Sequence, residues 1–241
     1  MAVDPRLALA ALPRVQRFGV TERRLHTIHA WAICVLMLTG FVLYLPFLAQ
    51  IVSDRPLMKG IHLVTAVVWL TALALVALLG DRDALRRTRR DIERFDADDV
   101  LFVRTRGRSR TAGRFNGGQK AHAIAQAGLT VLFTVSGVLL WLGERDTAFR
   151  LPGTIALHDA ATLLLAVLVA GHVMQATSHP QSLEGIRRGT VRASYAAAHH
   201  ATWDAPPAGD AGARAGALGA RRIALAAAVV ILGVAAMTLF V

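Results

Sequence analysis

Charge is what this chain of 241 residues lacks over long distances. No Asp, Glu, Lys or Arg occurs from Leu25 to Ser53, Gly60 to Gly80, Ala121 to Gly143, Ala160 to Leu183 or Ile223 to Val241. These stretches are 29, 21, 23, 24 and 19 residues long, and a bilayer-spanning helix needs about 20 mostly apolar residues. A water-soluble helix would carry a polar stripe at helical period, and none of the five has one to spare. Aromatic residues are few, at 6%, and are not interleaved with basic ones as a nucleic-acid surface requires. The single cysteine, Cys34, lies in the first stretch and cannot form an intramolecular disulfide. These shortages exclude a soluble globular enzyme, a nucleic-acid-binding domain and a disordered chain. The pattern predicts an all-α integral membrane protein.

Acidic residues are also scarce, 16 against 27 basic, for a net charge of +11. The basic residues alternate in abundance along the chain. The segments before the first stretch, between the second and third, and between the fourth and fifth hold 23 of them; the other connections hold 4. Basic loops stay cytoplasmic, so the N-terminus is expected inside and the C-terminus outside. The excess charge is topological, with a weak attraction to anionic lipid as a by-product.

The expected organisation has four parts. Residues 1–25 form a cytoplasmic lead-in, whose apolar run Leu7 to Leu12 is too short for a span and has the wrong charge order for a cleaved signal. Residues 26–178 form a four-helix unit, with helices at about 26–48, 61–79, 121–142 and 155–178. Between its second and third helices, "RDALRRTRRDIERF" has the charge spacing of an exposed or interfacial helix. Residues 179–220 form a cytoplasmic tail and a flexible Ala/Gly/Pro linker. A fifth helix at 221–241 looks appended.

Histidine carries the chemistry. Ionisable residues inside spans are costly and mark function by default. His26 stands at the inner end of helix one, His62 at the outer start of helix two, and His158 and His172 on helix four. The last two are fourteen residues apart, which puts them within about 40° of one helix face with a rise of roughly 21 Å. At the outer depth His62 and His158 are the natural pair. At the inner depth His172 can meet His26, His29 or His122. A lone histidine at a helix end is ordinarily interfacial, but four that pair by depth on three helices are not.

Two facing imidazoles suit an iron porphyrin held through both axial positions, and no Cys-x-x-Cys-His is present for covalent attachment, so the haem is expected to be b-type. Zinc fits less well, because neither pair has the further Cys or carboxylate ligands of a tetrahedral site. Asp159 adjoins His158, but neighbouring positions on a helix point apart. Gly40 and Gly171 leave room for a flat macrocycle, although glycine also serves close helix packing. His179, His199 and His200 fall in the tail, where a solvated surface is the default.

At this point the sequence resembles a known family, the gamma subunit of membrane-bound formate dehydrogenase, a dihaem cytochrome b related to that of nickel–iron hydrogenases. The resemblance covers about residues 18 to 204. It rests on "RRLHTIHAWAICVLMLTG", with His26 fourteen residues before Gly40, on "KGIHLVTAVVWL", on the loop "GRFNGGQK", and on "ALHDAATLLLAVLVAGHV". The tail "GIRRGTVRASYAAAHHATWD" is also similar. By itself "FNGGQK" reads as an ordinary turn and helix start.

The resemblance implies a four-helix dihaem bundle in the bacterial inner (cytoplasmic) membrane, with His62 and His158 on the outer haem iron and His26 and His172 on the inner one. It implies a quinone, menaquinone or ubiquinone, near Asn116 and His172, and partners in an iron–sulfur beta subunit and a catalytic alpha subunit. The chain itself is then an electron-transfer and quinone-reducing subunit, with no catalytic residue for formate oxidation. Three features depart from the family pattern: the fifth helix, His122 where members carry apolar residues, and the absence of a tyrosine after "HHATWD". Other readings are the cytochrome b of a nickel–iron hydrogenase or another respiratory oxidoreductase, and a haem-free anchor or transporter. The internal repeats of span pairs that a transporter would carry are not found.

Overall fold

A computed structural model describes residues 13–105, 107, 112–206, 208 and 218–239. The lead-in up to residue 12 and most of the expected linker at 205–220 lie outside the described residues. In chain order the elements are β1 (Arg14–Gln16), α1 (Val20–Tyr44), α2 (Pro46–Val52), α3 (Arg55–Leu79), α4 (Arg82–Glu93), α5 (Ala97–Arg104), α6 (Gly117–Arg145), a 3-10 turn (Thr147–Phe149), α7 (Thr154–Ser178), α8 (Pro180–Arg188), β2 (Thr190–Arg192), α9 (Ala193–His199) and α10 (Ala220–Thr238).

Helices α1, α3, α6, α7 and α10 are each long and apolar enough to cross a membrane. They coincide with the five charge-free stretches, because a helix satisfies its own backbone groups where lipid offers no partner. Large apolar side chains stand bare on them: Leu38 is 68% exposed, Val167 70% and Ile231 66%. Such surfaces would drive association in water and suit a hydrocarbon surround. Among the described residues the regular structure is all helical with one small exception, described below.

Helix α7 and the end of α3 keep the expected bounds, and other bounds differ for local reasons. Helix α1 stops at Tyr44 instead of running on to Leu48. Pro46 pushes Leu45 to an extended backbone (φ −93°, ψ 113°) and then opens α2. That helix ends at Ser53, whose φ of 58° lies in the left-handed region and whose N–H donates to Ala49 O. Helix α3 starts six residues earlier than expected, since Asp54 Oδ1 accepts from Leu57 N at 2.9 Å and Pro56 fits the first turn.

Contacts divide the chain into two units. One comprises Arg24–Gly80, Ala125–His172 and Gly216–Val241. Its core is Ala32, Ile33, Trp69, Leu129, Ala161 and Leu165, drawn from α1, α3, α6 and α7. Helix α10 packs along α3. Arg222 at its start donates to Leu78 O (2.7 Å) and Gly80 O (3.0 Å), carbonyls that the end of α3 leaves without helical partners.

The other unit comprises Met1–Arg23, Asp81–Ile124 and Val173–Ala215. Here β1 and β2 pair antiparallel, Val15 opposite Val191, which is fully buried. This ribbon is absent from the all-α expectation, being three residues long on each side. The arginine-rich stretch forms α4 as its charge spacing predicts. Arg114 is shared between Glu22, Asp91 (3.3 Å) and Thr88 (3.0 Å). Lys120 Nζ donates to Asp99 Oδ2 at 2.5 Å and to Arg94 O at 2.7 Å, with both charged groups buried. Gly117 is required by close approach: a Cβ there would lie 2.4 Å from Asp99 O.

Candidate functional site

The four histidines of interest all lie in the unit that includes Arg24–Gly80 and Ala125–His172. His62 on α3 faces His158 on α7, with ring centroids 6.5 Å apart and planes at 62°. His26 on α1 faces His172 on α7 at 6.1 Å and 46°. The fourteen-residue separation along α7 sets the pairs apart by roughly 21 Å of helix rise.

Each histidine of the His62–His158 pair is held by a hydroxyl. Thr39 Oγ1 lies 2.8 Å from His62 Nδ1, and Ser136 Oγ lies 2.8 Å from His158 Nδ1. Each hydroxyl has one hydrogen and spends it on its own helix: Thr39 donates to Val35 O at 2.8 Å, and Ser136 to Leu132 O at 2.7 Å. The hydroxyl oxygen therefore accepts Nδ1–H from the imidazole, an assignment drawn from the hydrogen-bond network. That fixes the tautomer and leaves the Nε2 lone pair for a metal, as second-shell partners of ligand histidines do. A glycine follows each hydroxyl. A methyl at Gly40 would touch His62 Cε1 at 3.6 Å, and one at Gly137 would touch His158 Cε1 at 3.8 Å. The hydroxyl–glycine steps Thr39–Gly40 and Ser136–Gly137 escaped the sequence reading. Their signal is a polar residue followed by glycine within a charge-free run, once on α1 and once on α6.

Beside the His62–His158 pair lies a cavity of about 500 Å³, within the usual range for a cofactor site, ~300–1,000 Å³. His62, His158, Gly137 and Phe133 line it together with Trp69, and its walls are overwhelmingly apolar. The residues fit a bis-imidazole haem. Imidazole–metal bonds of about 2 Å, with about 1 Å more from nitrogen to ring centre, put two coaxial rings roughly 6 Å apart. Both pairs have that separation. Among the described residues, no cluster of three or more His, Cys, Asp or Glu could hold a metal ion.

The residues expected to compete with His26 as partner of His172 are placed differently. His29 turns to Trp69, at 5.5 Å between ring centroids, and lies 3.5 Å from Gln126 Oε1. His122 belongs to the other unit. Asn116, in that same unit, caps α6: its Oδ1 accepts from Gln119 N at 2.9 Å, while Gln119 Oε1 accepts from Asn116 N at 3.2 Å. This reciprocal pair is a capping box, so the loop "FNGGQK" builds a helix start whatever else it does. Asn116 and His172 fall in different units. Gly171, unlike Gly40, has nothing near its missing side chain.

The tail corrects one expectation. His200 is buried at 3% exposure, whereas a solvated surface was expected. Its Nδ1 lies 2.7 Å from Gly113 O, with Tyr195 and Trp203 rings around it. Burial pushes it down to about 4, with the Arg17 charge adding to the effect. His199 beside it is exposed, as expected.

Known proteins bear on these sites. The chain is 26% identical over 195 residues to the formate dehydrogenase cytochrome b556(fdo) subunit of Escherichia coli strain K12, and the match covers 78% of this chain and 91% of that relative. The same subunit from Escherichia coli O157:H7 matches to the same extent. Residues 17–189 match the family described as prokaryotic cytochrome b561, a span that includes all four paired histidines and stops short of α10. The chain belongs to the prokaryotic cytochrome b561 family, as a multi-pass, haem-b membrane protein.

Proposed function

We propose that this chain is the dihaem cytochrome b subunit of a membrane-bound formate dehydrogenase, passing electrons from an iron–sulfur partner to the quinone pool. The observation that carries the reading is the pair of histidine pairs, with ring centroids 6.5 and 6.1 Å apart at two depths of one bundle. When bound, haem b supplies a one-electron carrier at each depth. His62 and His158 would hold the outer iron, and His26 and His172 the inner one. Thr39 and Ser136 keep the outer imidazoles in the tautomer that presents Nε2 inward. Trp69, Phe133 and their apolar neighbours exclude water from the outer site.

Reduction of a quinone takes two electrons and two protons, so that end of the reading needs polar residues near water. Asn116 and His172 are assigned to the quinone by resemblance. The distribution of basic residues supports an inside N-terminus, which would set the Asn116 loop on the cytoplasmic side. The formate assignment draws support from the Escherichia coli relatives and belongs to the partner subunits, since a fold does not choose its fuel.

The deciding experiment is a reduced-minus-oxidised visible spectrum with haem quantification on the purified membrane protein. Two haems b per chain are expected in the wild type and one in either His62→Ala or His158→Ala. A colourless wild type, or two haems in either variant, overturns the reading. Co-purifying subunits identify the donor: an iron–sulfur and a molybdopterin protein for formate, a nickel–iron protein for hydrogen.

A further inference from the structure

Helix α10 lies beyond the residues that match the family, yet it lines the outer cavity. Val229, Leu232, Gly233, Ala236 and Leu239 all border it, as do His62 and His158. Their spacing of three, one, three and three residues places them on one helical face. Two features hold that face in position. Arg222 ties the start of α10 to the end of α3 through Leu78 O and Gly80 O. Near the other end α10 passes so close to the Thr71 side chain that a Cβ on Gly233 would lie 2.5 Å from Thr71 Oγ1. Thr71 also borders the cavity.

We propose that α10 is a built-in wall of the outer haem site, closing on this chain's own residues a side that lipid would otherwise reach. The inference rests on the haem reading above and adds to it a positioning role for Gly233, Ala236 and Arg222. The apolar shell around a metal site controls solvent access and local dielectric, and with them affinity and redox potential. Displacing the wall should therefore weaken the outer haem and leave the inner one untouched.

The test uses the full chain in detergent, with haem stoichiometry and potentiometric titration as readouts. Gly233→Leu forces α10 away from Thr71. Ala236→Leu, one turn on, pushes a longer side chain into the cavity and guards against a folding failure of the first variant. Arg222→Gln loosens the anchor without touching the cavity. The expected result is loss of haem from two toward one per chain, or a shifted potential for one haem only, in both leucine variants. The altered species should be the one missing in His158→Ala, and Arg222→Gln should show a smaller change of the same kind. Wild-type stoichiometry and both potentials unchanged in the two leucine variants would overturn the wall and leave the haem reading standing. Equal loss of both haems would overturn it as well. A wild type without haem would overturn both.

Discussion

Thr39 Oγ1 lies 2.8 Å from Nδ1 of His62 while its own hydrogen goes to Val35 O, so the threonine accepts from the imidazole. Ser136 repeats the arrangement at His158. Thr39→Val keeps the shape and removes the acceptor, which leaves a buried N–H unpaired and the ring free to turn. A fall in haem affinity of about 10- to 100-fold is expected at the outer site, measured by haem titration of the depleted protein. Thr39→Ser should restore it. Wild-type affinity in Thr39→Val would remove the hydroxyl from the site.

The inner pair gives a second test. His172→Ala should lose one haem, and so should His26→Ala, whereas His29→Ala should keep two. His29 is engaged with Trp69 instead. Retention of both haems in His26→Ala with loss in His29→Ala would exchange their roles.

Asn116 needs a test that separates its two possible duties. Asn116→Ala removes an N-cap and should destabilise the fold by about 1 kcal/mol. Asn116→Ser keeps a capping oxygen, so stability should return nearly to wild type. If the residue also contacts quinone, quinol formation stays impaired in the serine variant with both haems bound. Full turnover in Asn116→Ser would reduce the residue to a helix cap.

His200 makes stability depend on pH. Its pKa falls from the ordinary 6.5 to about 4 on folding, so between those values the unfolded chain binds more protons. Stability is then full above about pH 6.5 and declines as pH drops toward 4, by up to about 3 kcal/mol for this group. His200→Asn retains a donor for Gly113 O and cannot titrate. Thermal unfolding at pH 5 and pH 7.5 should differ more in wild type than in this variant; equal differences would place the titrating group elsewhere.

The buried Lys120–Asp99 pair offers a double-mutant test. Lys120→Met strands a buried carboxylate and should cost about 3–5 kcal/mol. Adding Asp99→Leu should recover much of the loss, because the uncompensated charge is then gone. A thermal melt of the double variant no better than that of the single one would argue against this.

How much could be read in advance follows from these particulars. The five spans were legible because lipid forbids charge and long uncharged runs are visible at once. Their ends were legible only in part: α3 and α7 end at Leu79 and Ser178 as expected, but Asp54 and Asn116 cap helices from outside the apolar stretch and Pro46 splits one within it. That His62 stands near His158 follows from depth alone. That Thr39 and Ser136 serve them does not: a hydroxyl in a helix ordinarily bonds its own backbone, and both do so here while also meeting an imidazole. Which face α10 turns to α3 depends on a glycine contact that no single-chain pattern announces. The burial of His200 arises from a carbonyl 87 residues away in sequence, a distance at which periodicity carries no information.

Helix α7 supplies one histidine to each pair, and no proline interrupts it between His158 and His172. It therefore acts as a gauge bar for the interval between the two histidine pairs. Exchanging one residue for another along this stretch leaves the interval alone. Inserting or deleting one would swing an imidazole through about 100° and shift it by about 1.5 Å, breaking register at one end while the other held. The count of residues between His158 and His172 thus matters to both pairs more than which residues fill it.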